Sequence, residues 1–98
     1  MTIDKTQDGE KLVIKLAGRL DTTTAPELQQ ELDTSLDGVT ALEFDFSELA
    51  YISSAGLRVM LAAHKKMAGK EGMVIKNASA EIMEIFEVTG FINILSIR

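Results

Sequence analysis

The sequence predicts a single α/β domain over residues 1–98, a mixed and mostly parallel sheet with helices packed on it, in the order β-β-α-β-α-β-α-β. Three observations carry this. Short apolar runs of strand type alternate with stretches of helical spacing, which favours parallel neighbours joined by right-handed crossovers. The chain opens instead with two strand-like runs around Asp8-Gly9, a favoured hairpin pair, so one antiparallel pairing is expected at its start. The 98 residues suffice for one domain and not for two, and 46% apolar with 26% charged residues is the balance of a globular chain.

Residues 2–6 and 11–17 read as the opening hairpin. In its second strand Leu12, Ile14 and Leu16 face one side, Val13 and Lys15 the other, and Gly18 lets the chain bend or be closely approached. Thr24-Ala25-Pro26-Glu27 starts the first helix. Thr24 can cap it, Glu27 can complete a capping box, and Pro26 sits in the first turn, where its missing donor does not matter. Ala25, Leu28, Leu32 and Leu36 follow at helical spacing until Asp37-Gly38. Leu42, Phe44 and Phe46 alternate with Glu43 and Asp45, a strand expected to end near Phe46 before a short loop. Leu57, Leu61, His64 and Ala68 fall on one face of a second helix closed by Gly69 and Gly72. Leu57 and Leu61 read as core and Val59 or Met60 as candidates to line a partner surface, a choice that helical phase alone does not decide. Met73-Val74-Ile75 is a short buried strand. Ser79 caps a third helix with Ile82, Ile85 and Phe86 inward and Gly90 as its stop. Ile92 to Ile97 supply a last strand at the sheet edge.

Composition narrows the function. Without cysteine there is no disulfide and no thiolate metal site, which suits a reducing cytosol. Met1-Thr2-Ile3-Asp4-Lys5 reaches charge at once, unlike a signal peptide, and no apolar run is long enough to span a bilayer. A cytoplasmic protein without membrane insertion is expected. The net charge of −5 is unevenly spread: from Leu20 to Leu57 lie Asp21, Glu27, Glu31, Asp33, Asp37, Glu43, Asp45 and Glu48, with no Lys or Arg. Bases flank this block. It repels phosphate backbones, which argues against nucleic acid, and suits a protein partner with a basic face. Taken singly, most of these acids read as solvated surface.

No GxGxxG, P-loop or paired metal ligands occur, so no nucleotide, metal or other cofactor site is expected. No base, nucleophile and orienting group can be assembled into an enzyme site. His64, the one histidine, lies on the apolar face of its helix and reads as structural. Asp45 and Glu48, at a strand end and in a loop, read as solvated acids, with Asp45 able to bond loop amides near Ser47.

The informative stretch is Phe44 to Arg58, where a helix begins at Ser53 or Ser54 near the carboxyl end of a strand, the usual place for function in open α/β sheets. A phosphate on such a serine adds about −1.5 to −2 of charge, which a helix N-terminus tolerates and a docked partner does not. A serine before a helix is equally an ordinary cap, and chemistry alone leaves both readings open.

The chain resembles the STAS domain, named for sulphate transporters and anti-sigma-factor antagonists. Gly18-Arg19-Leu20-Asp21 with Thr24-Ala25, then Asp45-Phe46-Ser47, then Ile52-Ser53-Ser54-Ala55-Gly56-Leu57 carry the resemblance in the family's order and spacing. It implies that Ser54, two residues before the Gly-Leu pair, is the phosphoacceptor. Asp21, Thr22, Ser53, Ala55, Gly56 and Arg58 would contact partners, with Asp21 near the serine and helping to dock the kinase. One position departs from the pattern: members often carry aspartate directly before the phosphorylated serine. This chain has Ser53 there, which becomes the second choice of acceptor.

The resemblance further implies partner switching. The unphosphorylated monomer binds an anti-sigma factor that is also a serine kinase of the histidine-kinase-like ATPase type, releasing a sigma factor. That kinase phosphorylates Ser54 and breaks the complex, and a PP2C-type serine phosphatase restores it. The alternative within the same fold is an accessory or regulatory subunit of a transport, motility or secretion system. A small-ligand or nucleotide binder is a third reading, disfavoured by the missing glycine loop.

Overall fold

In the computed structural model, which describes all residues 1–98, β1 (Thr2–Asp8) pairs antiparallel with β2 (Lys11–Leu20) around a turn holding Gly9 at φ +63°. The rest of the sheet is parallel: β2 to β3 (Ala41–Ile52), β3 to β4 (Gly72–Lys76) and β4 to β5 (Ser96–Ile97), so the spatial order follows the chain order. Helices α1 (Ala25–Ser35), α2 (Ser54–Met67) and α3 (Ala80–Thr89) supply the crossovers. The expected order of elements is the observed one. No helix is long and apolar enough to cross a membrane.

Strand alternation makes the sheet one-sided. The register aligns Leu12, Leu42 and Met73 in one buried row and Ile14, Phe44 and Ile75 in the next. Leu28 and Leu32 of α1, Met60 and Met67 of α2, and Ile82 and Phe86 of α3 close over these rows in one core of 24 buried apolar residues. Phe44, Phe46 and Phe86 form its centre, with neighbouring ring centroids 6.1 and 6.4 Å apart. Each such side chain stabilises the fold by about 1.5–3 kcal/mol. The opposite sheet face carries Val13, Lys15, Glu43, Asp45, Val74 and Lys76, all half-buried.

On that open face Glu43 bridges Lys11 at 3.3 Å and Lys76 at 3.2 Å, and Glu48 pairs with Lys15 at 3.6 Å. On the helical face Lys5 of β1 pairs with Glu31 of α1. The acidic middle of the chain is thus folded against its basic flanks, and four of its acids (Asp21 with Arg19 is the fourth) are paired rather than merely solvated.

Three expectations are corrected. β3 does not end near Phe46 but runs on to Ile52, its pairing with β2 kept by register shifts at Lys15/Ala17 and Gly18/Arg19. The buried face of α2 is Gly56, Leu57, Val59, Met60, Ala63 and Met67. Val59 and Met60 are therefore core residues, Leu61 is only half-buried and Ala68 is exposed. The last strand is two residues long, because Phe91–Asn93 curls into a 3₁₀ turn behind Gly90, which adopts φ +81°. Ser79 caps α3 as expected, its hydroxyl accepting from the Ile82 N–H at 3.2 Å.

Candidate functional site

β2 and β3 finish side by side, with Leu20 opposite Ile52. The Ser53 N–H donates to the Leu20 carbonyl at 2.9 Å, and the chain then turns directly into α2. Ser53 is extended (φ −97°, ψ 176°) and is the cap: its hydroxyl accepts from the Gly56 N–H at 3.4 Å, and its carbonyl takes the first helical bond from Leu57. Ser54 is the first helical residue and is exposed. The two serines are therefore distinct, one engaged with the backbone and half-buried, the other facing solvent.

Gly56 brings the helix this close to the sheet. A Cβ there would lie 2.8 Å from both Leu20 Cγ and Ile52 Cγ1. Expected among the partner-contacting residues, Gly56 is instead buried, and it lets α2 close over the ends of β2 and β3. Ala55 is half-buried; Arg58, one turn beyond Ser54 and so on the same side of α2, is exposed. The first turn of α2 holds no acid, while His64, Lys65 and Lys66 lie in its last turn. The positive end of the helix dipole is thus uncompensated by the helix's own side chains, a place suited to an anion.

Asp21 lies in the turn that follows Leu20, beside this helix start. Its Oδ1 accepts from the Thr23 hydroxyl at 2.7 Å, the Thr23 N–H at 3.0 Å and the Thr24 N–H at 3.2 Å. These bonds, that of the Thr23 hydroxyl foremost, hold its carboxyl below the ordinary carboxylate value. Thr24 makes no side-chain cap to α1, contrary to expectation. Its hydroxyl donates to the Arg19 carbonyl at 2.8 Å and accepts from the Asp21 N–H at 2.9 Å, tying the turn together. Thr22 is exposed at the tip.

One pairing escaped the sequence reading. Arg19 stands over the Tyr51 ring at 4.3 Å and its Nε lies 3.7 Å from Asp21 Oδ2. Arg19 belonged to a recognised motif, but Tyr51 could be placed only by the bulged register that sets it opposite Arg19. Asp45 and Glu48 form no carboxylate pair. Asp45 accepts from the Ser47 N–H at 2.9 Å and Asn77 Nδ2 at 3.1 Å, bonds that lower its carboxyl below the ordinary value. His64 is half-buried, and its Nδ1 has no hydrogen-bond partner.

None of the four surface cavities is lined by residues 19–23 or 52–58. The site is a patch without a pocket, made of an exposed hydroxyl, an ionised Asp21 and exposed Arg19 and Arg58. These residues present a solvent-facing hydroxyl and line no small-molecule cleft.

The family model described as "Mlab, STAS domain" matches residues 3–96. The chain is 35% identical over 99 residues to BtrV of Bordetella bronchiseptica, assigned as an anti-sigma factor antagonist, covering 99% of this chain and 84% of that one. It is 30% identical over 97 residues to the anti-sigma-B factor antagonist of Listeria monocytogenes, covering 96% and 84%. The fold is that of the anti-sigma factor antagonist SpoIIAA in its unphosphorylated form (TM-score 0.76, 19% identity, 99% and 87% covered). The phosphorylated Bacillus SpoIIAA matches equally (TM-score 0.75, 20% identity, 99% and 91% covered).

Proposed function

The chain belongs to the STAS-domain family of anti-sigma factor antagonists, which are non-enzymatic regulators, and on that premise we propose that it is a partner switch triggered at Ser54. The unphosphorylated monomer binds a cytoplasmic anti-sigma factor, itself a serine kinase of the histidine-kinase-like ATPase type. Phosphorylation of Ser54 by that kinase ends the complex, and a PP2C-type phosphatase renews it. ATP and Mg²⁺ act on the kinase, and this chain contributes the acceptor hydroxyl.

The observation that carries the reading is the division of labour between the serines: Ser53 caps α2, and Ser54 is exposed at its first position. A phosphate on Ser54 would meet free backbone N–H groups and the positive end of the dipole, so the fold survives. A partner docked over Ser54, Asp21 and Arg58 would meet new bulk and charge. Each 1.4 kcal/mol of that clash weakens binding about tenfold. The existence of a structural relative in a phosphorylated form supports the same reading.

The test is a comparison of the native chain with Ser54→Asp for binding to the anti-sigma factor of its own organism. The variant is expected to bind at least about tenfold more weakly, with an unchanged melting temperature. Equal binding by the two proteins would contradict ejection by charge. Recovery of an ABC-type ATPase and no kinase in a pull-down would favour the accessory-subunit role instead.

A further inference from the structure

Helix α3 keeps Ile82 and Phe86 fully buried and turns Glu81, Glu84 and Glu87 to solvent. These acids follow one another at a spacing of three, so they are neighbours along one side of the helix, where like charges repel. None takes part in the molecule's ion pairs, and α3 contains no Lys or Arg. Glu87 stands in the last turn, where the carbonyl end of the helix is already negative. Glu31, Glu43 and Glu48 pair with lysines, whereas the acids of α3, like Glu27 of α1, do not.

A second observation falls on the same helix. Val88 is 81% exposed, the most exposed large apolar side chain of the protein. With the half-buried Ile85 one turn earlier, and with Glu84 and Thr89, it lines a shallow open groove. Ile94, 46% exposed, follows in the segment after the 3₁₀ turn. Ile85 and Val88 thus form an apolar strip beside the unpaired Glu84, with Glu81 and Glu87 exposed on the same helix.

We infer that α3 is a second docking surface, whose occupant is a cationic amphipathic helix of a protein partner. Ile85 and Val88 receive its apolar stripe, and Glu81, Glu84 and Glu87 receive its lysines or arginines. A second copy of this chain is the poorer occupant, since it would press like charges together. All three helices start at the carboxyl ends of strands, and Val88 lies about 12 Å down α3 from that end. The groove is therefore remote from Ser54, and its contact persists whether or not the serine carries phosphate.

The experiment titrates the full chain with a synthetic 14-residue peptide of leucine and lysine patterned as an amphipathic helix, read by amide chemical shifts and by anisotropy. The expected shifts are confined to residues 80–89 and Ile94, with affinity falling as salt rises. Val88→Lys and the double variant Glu84→Gln/Glu87→Gln should each lose about tenfold or more in affinity, and Ser54→Asp none. Glu87→Lys should raise the melting temperature by about 2–5 °C while weakening the peptide, the mark of charge held for a partner against the helix's own stability. The proposal is overturned by any of four results: no shift at millimolar peptide, shifts centred on α1 or Ser54, equal binding of a scrambled peptide, or unchanged affinity in Val88→Lys. Shifts of α3 amides with protein concentration alone would make the occupant a second copy and overturn it as well.

Discussion

Gly56 lies against Leu20 with no room for a side chain between them: a Cβ would stand 2.8 Å from Leu20 Cγ, and Leu20 is fully buried. This contact fixes how deeply α2 seats on the ends of β2 and β3, and hence where Ser54 emerges. Gly56→Ala is expected to destabilise the protein by up to about 2 kcal/mol, overpacking of about 1–3 kcal/mol offset by a gain of about 1 kcal/mol from better helix propensity. Denaturant titration checks this. A stabilised variant would mean that α2 is free to shift outward.

The two serines should separate in stability. Ser53→Ala removes the cap of α2 and is expected to cost about 0.5–1 kcal/mol, the low end of cap losses because the bond is long at 3.4 Å. Ser54→Ala removes an exposed hydroxyl and should stay within about 0.5 kcal/mol of the native chain. Thermal unfolding of both variants decides the point, and a larger loss in Ser54→Ala would reverse the assignment of cap and acceptor.

Acid should weaken the fold through Asp45. The Ser47 N–H foremost, then Asn77 Nδ2, lower its folded value beneath 3.8, the value of an unperturbed aspartate. A depressed carboxylate stabilises above the unfolded value, and that contribution disappears as pH falls through the folded one. Asp21 acts with the same sign through Thr23. In Glu43, burial raises the value, but the bonds to Lys76 and Lys11 prevail and lower it overall. Asp45→Asn should therefore lose about 0.5–1 kcal/mol near neutrality and show a shallower decline below about pH 4 than the native chain. Parallel acid limbs for the two proteins would contradict this.

The phase of α2 is open to the same kind of check. Met60 is fully buried and Leu61 half-buried. Met60→Ala should cost about 2–4 kcal/mol and Leu61→Ala well under half as much. Equal losses would return the helix to the phase expected from its sequence.

That phase shows where sequence reading runs out. Leu57, Val59, Met60, Leu61, Ala62 and Ala63 are apolar almost all round the helix, so spacing alone cannot choose a face. The choice is made by Gly56, whose close approach to Leu20 rolls Met60, Ala63 and Met67 inward. β3 was legible as far as alternation held, through Phe46. The polar pair Ser47-Glu48 reads as a loop, and only the bulged register with β2 shows the strand continuing to Ile52. β2 and α1 were legible because their apolar faces are unambiguous, and β1 through the Asp8-Gly9 turn, since Ile3 is its one apolar residue. α3 was legible through Ile82, Phe86 and its stop at Gly90, while Ile85, expected inward, is only half-buried. At the site, Ser54 and Asp21 were found by motif. The cap on Ser53, the tie through Thr24 and the stacking of Arg19 on Tyr51 depend on the pairing of Leu20 with Ile52, which no local pattern encodes.

The most direct test of the switch is the intact mass of the native chain, Ser54→Ala and Ser53→Ala after incubation with the organism's anti-sigma factor kinase, ATP and Mg²⁺. The account predicts a single added phosphoryl group on the native chain and on Ser53→Ala, and none on Ser54→Ala. A phosphorylated Ser54→Ala protein, or a native chain that the kinase binds and leaves unmodified, would contradict it.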